Sequence, residues 1–267
     1  MPDHAGPDPV VYVYAVGRDL PDRAPAGLTG VGGRVVRTVA GAGLQALVGD
    51  VPREEFSDER LEASLQDLTW LAATARAHHH VVDTVGQVAA LVPLALATVF
   101  YDEDRVRAVL AERGPEFGRV LDDLDGRAEF GVKVYLPTTP PRAETGDRPT
   151  SGAEYLRRRR AAVGDAERVV QTARESALAL HDTAAEASVR SRRHRVHDAA
   201  LTGRTEQMVL NGAYLVDRAR SGEWRAAVER ATPGDVTVEV TGPWIPYSFV
   251  DAGDGPDTVD GAPREDA

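Results

Sequence analysis

The sequence predicts an α+β protein of two domains. The first is a mixed α+β domain, the second a modified ferredoxin-like domain carrying a long helix, with a C-terminal tail packing at the domain junction. Three observations point there. Runs of β-branched and aromatic residues occur at 10–16, 129–136 and 236–241, the last two with two-residue alternation. Apolar residues at helical spacing are segregated from them rather than strictly alternating, which favours α+β over a parallel α/β sheet. A proline-rich stretch at 137–150, with four prolines and no apolar residue larger than alanine, separates the two halves.

The N-terminal residues 1–9, rich in Pro and Asp, are expected to be disordered. The run from Val10 to Val16 is apolar on both sides and reads as a central strand. After a Pro/Gly-rich loop, residues 34–40 and 44–48 flank Gly41-Ala42-Gly43 and form a hairpin. Gly41 to Ala46 also fits the G-x-G-x-x-G/A dinucleotide pattern. Val51-Pro52 arrives before a crossover helix could form, so a hairpin is the reading adopted.

Ser57 is a candidate N-cap, with Phe56 and Leu61 placed as a hydrophobic staple. Leu61, Leu65, Leu68, Ala72 and Ala75 then recur at spacings of three and four, and the pattern runs through Val85 before Pro93 ends it. Within this helix His78-His79-His80 could suggest a metal. Adjacent helical residues point about 100° apart and no ligand partner follows at i+4, so the three read as a solvated face.

Residues 94–100 read as a buried strand, Asp102 as the cap of a helix interrupted near Gly114-Pro115, and Asp125-Gly126 as a turn. The next strand alternates, with apolar residues at even positions up to Leu136. The first domain is therefore placed at 10–136, the linker at 137–150 and the second domain at 151–241.

Ser151 to Glu154 is a capping box, and behind it Leu156, Val163, Val170, Ala177 and Ala184 recur every seven residues. This is a weak coiled-coil seam whose alanines permit close approach of a helix or sheet. Arg157 to Arg160 fan around the helix and read as solvated or paired. Strands are expected at 199–204 and 206–216, a helix at 218–231 and a last strand at 236–241. Residues 242–250 then form a stiff strap, with Trp244, Tyr247 and Phe249 inside six residues and two prolines excluding a helix. These aromatics are expected to be buried, packing at the domain junction. Residues 251–267 carry six acids and one arginine and are expected to be disordered.

Composition bounds function. Absence of cysteine removes disulfides, thiolate catalysis and iron–sulfur clusters. A net charge of −11 argues against a nucleic-acid partner, and no apolar run approaches the ~18 residues of a membrane span. The chain opens Met-Pro-Asp-His without the basic and apolar regions of a secretory signal, so an intracellular location is expected. No P-loop, G-x-S-x-G elbow, H-E-x-x-H or EF-hand loop occurs, so no enzyme activity, cofactor or metal is expected.

Six blocks, in order, resemble the gas vesicle protein F/L family. They are Val11-Tyr12-Val13-Tyr14; Asp67 to Leu71 with Ala75 to His78; Pro93 to Phe100; Gly126 to Lys133; Asn211 to Val216; and Thr241 to Val250. The chain departs from the family in having Ala95 and Ala97 where Arg and Gly are usual, Phe130 where Trp is usual, and Ile245 where Pro is usual. The resemblance implies a minor, non-enzymatic accessory protein of the gas vesicle, located with it in the cytoplasm. Its implied partners are the hydrophobic major shell protein, kept from aggregating during nucleation or assembly, and other accessory vesicle proteins. The alternative is a small-molecule-binding or catalytic α+β protein with an interdomain ligand pocket.

Overall fold

The computed structural model describes residues 9–20, 27–136, 151–196, 206–234 and 236–250. Of the segment expected to be disordered at 1–9, residues 1–8 lie outside the described residues while Pro9 opens the first strand; the segment at 251–267, the linker at 137–150 and the strand expected at 199–204 also lie outside them. The chain divides into two compact units, one of residues 1–126 with 245–267 and one of residues 127–244.

The first unit is built on β1 (Pro9–Gly17), β2 (Arg37–Gly41), β3 (Leu44–Pro52), β4 (Leu91–Pro93) and β5 (Val99–Phe100). Their order is β2-β3-β1-β4, with β5 also pairing β1, and every pair is antiparallel. β1 is central and almost wholly buried because both faces are covered. On one face Tyr12, Tyr14 and Leu47 pack against Val81, Val82 and Val85 of α2 (Leu68–Gly86). On the other, Val11, Val13 and Val48 meet Val106 and Leu110 of α3 (Glu103–Glu112) and Phe117 and Leu121 of α4 (Gly114–Leu124). A register shift between Val13 and Ala15 puts Ala15 on the Tyr14 side, as a bulge does.

The β2–β3 hairpin is present. Ala42 and Gly43 have φ of 51° and 75°, and two positive values in a two-residue loop make a type I′ turn. The interruption at Gly114-Pro115 and the Asp102 cap, which accepts from the Arg105 amide at 2.8 Å, also form as expected.

Three local expectations are corrected. The helix expected from Ser57 through Val85 is two, α1 (Asp58–Gln66) and α2, because Asp67 leaves the helix and caps α2 by accepting from the amides of Thr69 and Trp70. Ser57 occupies the N-cap position of α1 without a side-chain capping bond. Of the strand expected at 94–100 only β5 forms, with β4 ending just before that range. Between them Ala97 takes a left-handed φ of 64°, and its amide bonds to the Tyr12 hydroxyl at 3.0 Å.

The second unit contains β6 (Arg127–Tyr135), α5 (Gly152–Glu186), β7 (Arg190–Arg193), β8 (Met208–Asp217), α6 (Ser221–Ala231) and β9 (Thr237–Trp244). Among the described residues the order β-α-β-β-α-β and the antiparallel sheet β7-β8-β6-β9 give the connectivity of a ferredoxin-like unit. Alternating burial along β6 directs Ala128, Phe130, Val132 and Val134 to the helices. There they meet Ala177, Leu180 and Ala184 of α5, and Trp224 and Val228 of α6.

This connectivity moves the domain boundary. The first domain was expected to run to residue 136, but β6 is the inner strand of the second sheet, hydrogen-bonded to both β8 and β9. The division therefore falls between Gly126 and Arg127. The proline-rich stretch at 137–150 falls in sequence between β6 and α5 of that second unit.

Candidate interaction surface

Residues after β9 fasten to the first unit. Ile245 is buried within the Tyr12–Val85 core, so close to α2 that a Cβ on Gly86 would stand 2.3 Å from its Cδ1. Tyr247, half-buried, joins the same cluster, while Phe249 is 4% exposed. The strap expected at 242–250 thus starts later: residues 242–244 finish β9, with Trp244 opposite Glu129, and Ile245 onward belongs to the first unit. Trp244 corrects an expectation, being 51% exposed where burial was anticipated. It lies at the end of β9, an edge strand of its sheet among the described residues.

Beneath Tyr247 lies a polar centre that the sequence reading misassigned. His78 is not on a solvated face but 1% exposed, between the rings of Tyr12, Tyr14 and Tyr247. Its Nδ1 is 2.9 Å from the Tyr12 hydroxyl. That hydroxyl also accepts the Ala97 amide, so donating its own proton to Nδ1 of a neutral ring satisfies it, and His78 Nε2 is buried with no hydrogen-bond partner among the described residues. Burial pushes His78 down to about 4, assisted by neighbouring His79. Burial also raises the hydroxyls of Tyr12 and Tyr247 well above their ordinary range. The signal was present in the sequence, since His78 stands four residues from Val82 and three from Ala75 on the apolar face. His79 and His80 are exposed, as expected. Among the described residues no group of three or more His, Cys, Asp or Glu is arranged to hold a metal ion.

A second His–Tyr pair sits in the other unit, where His181 Nδ1 is 2.7 Å from the Tyr214 hydroxyl. Burial and the charge of Arg193 lower the His181 pKa. Both pairs tie a helix to the strand beneath it.

The surface best suited to contact is on α5. Ser151 caps this helix by accepting from the Glu154 amide at 3.2 Å, and its 35 residues span about 52 Å against about 34 Å for the ten residues of β8. The helix therefore overhangs its sheet. Its C-terminal half is buried through Ala173, Ala177, Leu180 and Ala184. In the N-terminal half the same seven-residue seam is open, with Leu156 54% and Val163 52% exposed. An open depression of about 540 Å³ lies there, lined by Val163, Glu167, Val170, Gln171 and Arg174. Arg159 and Arg160 are exposed, while the side chains of Arg157 and Arg158 lie outside the described residues.

The family model described as gas vesicle synthesis protein GvpL/GvpF matches residues 10–251. Gas vesicle protein L of Streptomyces sp. (strain CB03234) is 41% identical over 251 residues, covering 91% of this chain and 93% of that protein. Gas vesicle protein F2 of Halobacterium salinarum is 26% identical over 90% of this chain and 92% of its own. The crystal structure of GvpF from Anabaena sp. PCC7120 superposes with a TM-score of 0.61 at 16% identity, covering 92% of this chain and 98% of that one. That of GvpF from Microcystis aeruginosa gives 0.60 at 16% identity, with 90% and 98% covered. These two share the α+β fold. With the family model spanning nearly all of the described residues, the chain belongs to the GvpL/GvpF family of gas vesicle synthesis proteins.

Proposed function

We propose that this protein acts by contact rather than catalysis: it binds the hydrophobic major shell protein of the gas vesicle and keeps it from aggregating while the shell nucleates. The observation that carries the proposal is the α5 seam, which is core in one half of the helix and open in the other. An apolar stripe of this kind on a protein of net charge −11 offers an apolar partner a soluble carrier. Helix-on-groove docking uses the spacing that Leu156, Val163 and Val170 supply. Family membership supports the choice of partner, and other accessory vesicle proteins are further candidates for the same surface. A nucleic-acid partner is disfavoured by the acidic charge. A lipid bilayer is not part of the proposal, and no helix among the described residues is long and apolar enough to cross one.

Co-expression with the shell protein tests this. The expected result is shell protein retained in the soluble fraction and recovered with this chain. Shell protein that stays insoluble, or that is absent from the recovered complex, would overturn it.

A further inference from the structure

β7 was not foreseen in the sequence, and its chemistry stands apart from the rest of the molecule. Residues 189–197 read Val-Arg-Ser-Arg-Arg-His-Arg-Val-His, with four arginines, two histidines and no acid, in a chain of net charge −11. The strand is the edge of its sheet, paired only with β8 among the described residues. Ladder bonding continues past Arg193, where the His194 amide donates to the Asn211 carbonyl and the Asn211 amide side chain donates to the Arg195 carbonyl. Residues 191–195 are all exposed. The result is an ordered, extended cationic ribbon of about six residues, or about 20 Å.

From this geometry we propose that the outer edge of β7 docks an extended acidic segment of another protein by strand addition. In an antiparallel ladder every second residue turns its N–H and C=O away from its partner, so an edge strand retains backbone groups for another chain. The strand register places Arg192 opposite Ala213 and Arg193 opposite Gly212, so successive arginines project to opposite faces of the sheet. Arg193 and Arg195 share one face, so an added strand would meet positive charge along that face. Neutral or basic strands gain nothing from that arrangement, while a strand with Asp or Glu at alternate positions is complemented along it. A polynucleotide fits less well, because its phosphates cannot reproduce the ladder and the body of the protein repels a long polyanion.

The test is fluorescence anisotropy on the full chain with three labelled probes of about ten residues: an Asp/Glu peptide, a Ser/Gly peptide and a single-stranded DNA. The Asp/Glu peptide is expected to bind best, with hydrogen exchange slowed at residues 190–195. Arg193→Glu with Arg195→Glu is expected to weaken it by about tenfold or more, and Arg193→Gln with Arg195→Gln less so. Arg159→Glu with Arg160→Glu on α5 should leave it unchanged, and melting temperatures establish that each variant folds. Equal binding by the Glu variant, tighter binding of DNA, or binding without protection of β7 would overturn the proposal. A chain ending at Val250 that binds the peptide no differently supports an external partner. Binding about tenfold tighter in that chain would instead assign the edge to its own acidic C-terminus and overturn the proposal.

Discussion

The Tyr12 hydroxyl lies 2.9 Å from Nδ1 of His78, joining the central strand of the first unit to the helix that covers it. The imidazole is neutral and buried in the fold, whereas in the unfolded chain it titrates near its ordinary value of 6.5. The contribution to stability is therefore complete above that value and is lost as the pH falls toward 4. Acidification across this window is expected to cost about 3 kcal/mol through this residue. Urea unfolding at steps between neutral pH and pH 4 checks it. The wild type should lose more than His78→Gln, whose side-chain oxygen can still accept from Tyr12; parallel losses would show that His78 does not titrate this way.

Tyr12→Phe removes one oxygen and orphans two groups, the Ala97 amide and His78 Nδ1. Stability is expected to fall by about 1–3 kcal/mol, the cost of leaving buried polar groups unpaired. A loss within error of zero in denaturant unfolding would mean that water replaces the hydroxyl.

Phe249 and Trp244 stand five residues apart but in different surroundings. Phe249→Ala is expected to cost about 3–5 kcal/mol, since the ring is 4% exposed. Trp244→Ala, at 51% exposure, is expected to cost about 1 kcal/mol or less. Thermal unfolding of both variants decides the ranking, and a larger loss for Trp244 would contradict the placement of the strap.

Ala97 occupies a position where the family usually has glycine, and its φ of 64° explains that preference, because a Cβ is strained there. Ala97→Gly is expected to raise stability by about 0.5–1 kcal/mol, the relief of strain less the entropy gained by the unfolded chain. A destabilised variant would show that the Ala97 methyl contributes packing that outweighs the strain.

Patterns that depend on local chemistry were legible in the sequence. The alternation of β6, the Ala42-Gly43 turn, the Asp102 and Ser151 caps and the heptad spacing of α5 all express neighbours within a few residues. What was hidden depends on distant partners. Ring contacts and the Tyr12 bond place His78 in the core, and only the pairing of β6 with β8 and β9 reveals that the proline-rich segment falls in sequence within the second unit. Trp244 misled because an apolar side chain is not buried by composition alone, and this one stands at the end of an edge strand, 51% exposed. β7 escaped notice because four arginines in six residues have no apolar alternation, its strand state coming from β8 alone. Of the candidate contact surface, the seam was visible as spacing; that half of it is open required the length of the sheet beneath.

The central claim rests on that open half. Leu156→Glu with Val163→Glu changes two side chains more than 50% exposed, well separated from the buried Ala173 to Ala184 stretch, so the melting temperature should hold. The decisive measurement is the amount of major shell protein kept soluble and co-purified by this double variant relative to wild type. A loss of about tenfold or more is expected, as for charges placed in an apolar interface. Retention equal to wild type would contradict the assignment of this surface.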